Sequence, residues 1–163
     1  MAKSVGGMEN EFVNLIHEYQ KIIYRVCKMY RETREDQEDL FQEIVYQLWK
    51  SYPSLKGESK ISSWMYRIAL NTAIAIFRKG KLPVKYAEKL PENLYSEATN
   101  TVSENEERLF EALRTLNDAD KALISLFLEG FTYQEMAAIT GITESNTGVR
   151  LNRIKNKLKT ILK

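Results

Sequence analysis

The sequence predicts an all-α protein of two small helical domains joined by a flexible linker, the second domain carrying a helix-turn-helix. Three observations lead there. Apolar residues recur at three- and four-residue steps through each long segment, and no stretch alternates as a strand does. That periodicity lapses between Lys81 and Asn105, where Pro83, Pro91, mixed charges and a Ser/Thr/Asn run mark a linker. Near the C-terminus, Thr132, Gly141 and Thr143 fall where a cap, a left-handed turn and a second cap belong. The expected units are residues 9–80, a linker over 81–105, and residues 106–163.

Taken in order, Met1–Gly7 is a small polar leader expected to lie outside the fold. Glu9–Arg31 reads as a helix with Phe12, Ile16, Tyr19, Ile23 and Val26 on one face and Cys27 as a core thiol. After a charged break, Asp36–Lys50 forms a second helix, burying Leu40, Phe41, Ile44, Val45, Leu48 and Trp49. Its other side carries Asp36, Asp39, Glu43 and Gln47 three or four apart, an expected exposed edge. Pro53 and Gly57 require a loop over Ser51–Lys60. Ile61–Lys79 is a third helix with Ile61, Trp64, Met65, Ile68, Ala69, Thr72 and Ile76 inward, and Arg67, Asn71 and Arg78 on another face.

Beyond the linker, Glu106–Leu116 resumes the helical pattern through Leu109, Phe110 and Leu113. Asn117 or Asp118 caps the next helix, which holds Leu123, Ile124, Phe127 and Leu128 and stops at Gly130. Thr132 then caps a short helix carrying Met136, Ala137 and Ile139, closed by Gly141. Thr143 caps the last helix, where Thr147, Leu151, Ile154, Leu158 and Ile161 make an apolar stripe. The opposite face holds Asn146, Arg150, Arg153 and Lys157.

Charge sharpens the reading of that last helix. The chain has 163 residues and a formal net charge of only +2, yet from Ser145 onward it carries six basic residues and no acidic one. A basic amphipathic helix behind a short helix and a glycine turn is the arrangement that a helix-turn-helix lays in the major groove. No stretch approaches the ~20 apolar residues of a membrane-spanning helix, so no membrane insertion is expected. The N-terminus lacks the apolar core of a signal peptide, which points to the cytoplasm. One cysteine and one histidine argue against a disulfide frame or a zinc site, so no metal or cofactor is expected. Asp36, Glu38, Asp39 and Glu43 crowd one helix with no histidine or second ligand cluster nearby, which disfavours a metal-dependent nuclease.

Asp36–Lys50, Lys56–Lys79 and the C-terminal helix-turn-helix, in that order, resemble an extracytoplasmic-function sigma factor, the promoter-recognition subunit of bacterial RNA polymerase. The resemblance implies a bacterial cytoplasmic protein that catalyses no chemistry itself. It implies that Asp36, Asp39, Glu43 and Gln47 dock on core RNA polymerase, carboxylates suiting an arginine-bearing partner. Lys56, Lys60, Trp64, Arg67, Asn71 and Arg78 are then expected to read and open the −10 element, with Trp64 or the 56–60 loop holding an unstacked base. Asn146 and Arg150, near the N-terminus of the last helix, are placed for base edges of the −35 element, and Arg153, Lys155 and Lys157 for phosphates. The linker is expected to thread through polymerase, and an anti-sigma factor to sequester both domains. Two positions depart from the family: Ala75 where an acidic residue is usual, and Gly148 where a basic one is frequent. The alternative is a helix-turn-helix regulator that is not a polymerase subunit, although the strand–helix receiver domain usual in such proteins is absent here.

Overall fold

A computed structural model describes residues 5–55, 60–79 and 103–162. Among these the elements are α1 (Val5–Tyr30), α2 (Arg34–Ser51), a 3-10 turn (Tyr52–Ser54), α3 (Ile61–Lys79), α4 (Glu104–Arg114), α5 (Asp118–Leu128), α6 (Tyr133–Thr140) and α7 (Glu144–Ile161). No strand occurs among the described residues. The expected leader is partly helical, because α1 extends back to Val5. The expected linker lies outside the described residues up to position 102. Its last three residues belong to the start of α4, where the Ser103 hydroxyl accepts from the Glu106 amide.

The helix starts follow the expected chemistry. Thr33, Asn117 and Thr143 cap α2, α5 and α7, each side-chain oxygen accepting a backbone N–H three residues on. Thr132 and Glu135 form a reciprocal box at the start of α6. The Glu135 amide donates to Thr132 Oγ1 at 3.1 Å, and the Thr132 amide donates to Glu135 Oε1 at 2.9 Å.

Helices α1, α2 and α3 pack around Phe12, Ile16, Ile23, Leu40, Phe41, Ile44, Leu48 and Met65, all essentially inaccessible to solvent. Phe12 also meets the rings of Trp49 and Tyr52 at 5.0 and 5.3 Å. Burial pushes the Cys27 thiol far above its usual range, so it behaves as an inert apolar group. Helices α4 to α7 continue this core through Leu113, Leu123, Leu126, Met136, Leu151 and Ile154. Two residues expected inside are not covered: Leu128 is 55% exposed and Ile161 is 42% exposed. Both sit in the last turn of their helix, where the apolar stripe outruns the elements packed against it.

The two halves also pack on each other, which the sequence did not indicate. Gly130 adopts φ +86°, and the Phe131 amide donates back to Leu126 O, a turn that only glycine takes without strain. That turn swings Phe131 out of α5 and sets its edge against the buried ring of Tyr66 in α3, with ring centroids 5.5 Å apart. Around this contact the Tyr30 hydroxyl donates to Asp118 O at 2.9 Å, and Arg114 Nε donates to Lys28 O at 2.8 Å. Arg25 pairs with Glu129, and Lys60 with Glu135.

Exposed ion pairs contribute only about 0–1 kcal/mol each, so the apolar contact and the two backbone-directed bonds hold the halves together. Reversing charge at both Arg25 and Lys60 turns these weak attractions into repulsions against Glu129 and Glu135, and so tests the docking without touching either core. We expect Arg25→Glu with Lys60→Glu to keep full helicity while the radius of gyration from small-angle scattering rises. Adding Glu129→Arg should bring it partly back.

Candidate nucleic-acid and polymerase interface

The acidic edge of α2 is narrower than its spacing suggests. Asp36 and Asp39 are exposed in the first two turns, where a carboxylate is also favoured by the helix N-terminus. Glu43, expected on that edge, is instead only 8% exposed. Gln47, half-buried, donates from Nε2 to Glu43 Oε1 at 3.2 Å. Burial raises the Glu43 carboxyl above its usual range, partly offset by the Gln47 hydrogen bond and by Lys50. The reason is rotational: α2 packs on both α1 and α3, so its covered arc is wider than the stripe Leu40–Leu48 alone, and Glu43 falls at its margin.

Along α3 the expected contact residues align. Lys60, Trp64, Arg67, Asn71 and Ala75 follow one another at three or four residues and share one face. Arg67, Asn71 and Ala75 are exposed, and Trp64 is half-buried against the core. Arg78 lies in the last turn of α3, and Lys56 falls outside the described residues. Lys60 does not point freely to solvent. Its Nζ is 3.3 Å from Glu135 Oε2 and 5.0 Å from the centroid of the Phe131 ring, so the start of this stripe abuts α6.

In α7, Thr147, Leu151, Ile154 and Leu158 are buried as expected, with the Thr147 hydroxyl donating to Thr143 O at 2.8 Å. This fixes the rotation of the helix. Asn146, Arg153 and Lys157 remain exposed. Arg150 is drawn sideways, its guanidinium donating to Asp120 Oδ1 at 2.9 Å near the N-terminus of α5. Lys155 sits on the other flank with its ammonium 4.0 Å from the Phe127 ring centroid. An outward-facing apolar residue that the sequence reading passed over is Val149, which is 47% exposed.

The family model for Sigma-70 region 2 matches residues 15–82, and that for Sigma-70 region 4 matches residues 106–158. RNA polymerase sigma factor SigZ of Bacillus subtilis is 32% identical over 136 residues, covering 77% of this chain and 72% of SigZ. The chain belongs to the extracytoplasmic-function RNA polymerase sigma factors. SigV of the same organism is 28% identical over 149 residues, covering 86% of this chain and 84% of SigV. The crystallised sigma factor RpoE of Bartonella quintana, in complex with the anti-sigma factor NepR, shares the fold with a TM-score of 0.67. It is 21% identical, and the match covers 91% of this chain and 96% of RpoE. As a sigma factor the chain is a DNA-binding regulatory subunit that directs promoter-specific transcription.

Within this family, Gly148 has a local explanation. A Cβ built at Gly148 would lie 3.2 Å from Cε2 and 3.7 Å from Cδ2 of Tyr133, so the first helix of the motif leans on bare backbone of the second. The helix position loses about 1 kcal/mol of propensity relative to alanine and gains this close ring contact. Tyr133 is 40% exposed and able to yield. Gly148→Ala is therefore expected to raise the thermal midpoint only slightly, and by clearly more when Tyr133→Ala removes the ring. Equal gains in both backgrounds, read by circular dichroism, would mean that the ring contact does not constrain the site.

The Glu43 position carries a pH signature. A carboxyl whose pKa is higher in the folded than in the unfolded chain binds its proton more readily when folded. Stability therefore falls as pH rises through the window between the two values. Glu43→Gln keeps a carbonyl acceptor for Gln47 and removes the buried charge. The variant should melt higher than the parent at pH 7, with the difference closing below the ordinary carboxylate range.

Proposed function

We propose that this sigma factor joins core RNA polymerase through the exposed carboxylates Asp36 and Asp39 of α2. On this reading it contacts −10 DNA along the α3 stripe, through Lys60, Trp64, Arg67 and Asn71 with Lys56 and Arg78. It contacts −35 duplex with α7, through Asn146 toward the bases and Arg153 and Lys157 toward phosphate. Arg150 and Lys155 join that surface when they leave Asp120 and Phe127. The reading rests chiefly on one observation: two helical units, each with an exposed polar stripe, follow each other in the order of regions 2 and 4.

The packed arrangement bears on how this works. Elements at −10 and −35 are about 25 base pairs apart, which is ~85 Å along B-DNA. In the free chain Lys60 touches Glu135, so one reading stripe abuts the helix-turn-helix. Both elements are engaged only once the halves part. An anti-sigma partner is supported by the apolar groove between α1, α4 and α5, lined by Val26, Met29, Leu109, Phe110 and the exposed Leu128. The chain makes no bonds itself and acts in the bacterial cytoplasm.

Reconstitution with core polymerase tests the assignment. Asp36→Lys with Asp39→Lys should lower core affinity roughly tenfold, the scale of losing a charge-assisted contact, with helicity unchanged. Lys157→Ala should weaken all promoters alike and reduce the salt slope by about one. Co-purification of the folded charge-reversed chain at parental yield would overturn the docking surface.

A further inference from the structure

The outward face of α7 is organised around an apolar residue. At ~100° per residue, Val149 lies about 160° from both Thr147 and Leu151, and those two side chains are fully buried. Val149 therefore points straight away from the domain, with 47% of its surface exposed. Ser145, Asn152 and Arg153 lie three or four residues from it, and all three are exposed. Two of the helix's long cations are drawn off this face, while Arg153 stands exposed at its edge. Arg150 is held by Asp120 at 2.9 Å, and Lys155 lies over Phe127 at 4.0 Å. Gly148, immediately before Val149, carries no side chain that would stand beside it. The centre of this outward face is thus a branched hydrocarbon with Ser145, Asn152 and Arg153 around it, and Arg150 and Lys155 on the flanks.

We infer that Val149 is a specificity-determining residue that reads the 5-methyl group of a thymine in the upstream promoter element. Thymine alone among the bases places a hydrocarbon group in the major groove, and apolar side chains recognise it by contact. A single exposed valine on a helix is ordinary. This one occupies the position that enters the groove first when the buried stripe of α7 keeps its place. The face also suits no other base edge at that point, because a valine has neither donor nor acceptor to offer guanine, cytosine or adenine. Asn152, one turn further along and exposed, supplies an amide for a neighbouring adenine. The inference depends on region 4 binding the −35 duplex, and its test separates the two.

Holoenzyme reconstituted from the full chain and core polymerase first selects an upstream element from a randomised duplex library. Each thymine of the selected element is then replaced by uracil, which removes only the methyl group. We expect the parent chain to bind one uracil-substituted duplex roughly fourfold more weakly, the equivalent of one methyl group left in water. Val149→Ala should bind the thymine and uracil forms equally while retaining strong binding to the rest of the element. A parent chain that selects an element yet ignores every thymine-to-uracil change overturns the inference and leaves the promoter reading standing. So does a Val149→Ala chain with an unchanged thymine-to-uracil ratio. Failure to select any upstream element overturns both.

Discussion

The Phe131 ring against Tyr66 is the contact on which the relation of the two halves depends. Tyr66 is 1% exposed and Phe131 is 8% exposed, so both rings are removed from water by the same event. An edge-on pair of this kind contributes about 0.5–1.5 kcal/mol beyond the area it buries. The polar groups around it add direction more than strength. Tyr30 and Arg114 each bond to a backbone carbonyl of the opposite half, and such bonds tolerate little sliding. The exposed pairs Arg25–Glu129 and Lys60–Glu135 close the rim. Phe131 reaches this place only because Gly130 accepts a left-handed backbone, so a turn that ends one helix also sets the docking of the motif that follows.

Glu135 links three levels of the structure at once. Its carboxylate completes the cap of α6 and receives Lys60 from the other half. The Thr132 backbone bond, and then Lys60, hold its carboxyl below the usual range. The first helix of the DNA-binding motif is therefore anchored by the same group that occupies a residue assigned to the −10 stripe.

Rotation of α7 decides which chemistry meets DNA. Four buried residues at helical spacing leave it a single orientation, and the flanks are then claimed by neighbours. Asp120 takes Arg150 on one side, while Phe127 takes Lys155 and Tyr133 leans on Gly148 on the other. What remains outward is mostly small and polar, with Val149 at its centre. Of the basic residues conspicuous in the sequence, Arg150 and Lys155 are drawn to the flanks, while Arg153 and Lys157 stay exposed.

The chain by itself determined the helices and their ends. Periodicity located α1 to α7, and Thr33, Ser103, Asn117, Thr132 and Thr143 cap the helices because a side-chain oxygen satisfies a local amide, an interaction contained within four residues. Gly141 closes α6 for an equally local reason. The order of the two motif-bearing units also pointed to the family. Tertiary structure alone decided which members of a polar stripe are free. Glu43 shares the spacing of Asp36 and Asp39 but lies under the packing of α1 and α3. Arg150 shares that of Asn146 but meets Asp120 thirty residues away. The joining of the two halves through Phe131 and Tyr66 was equally invisible, since Tyr66 lies off the inward stripe expected for α3 and Phe131 falls between two helices, outside any apolar stripe. Spacing along a helix fixes an angle, whereas burial and pairing depend on what another segment brings to that angle.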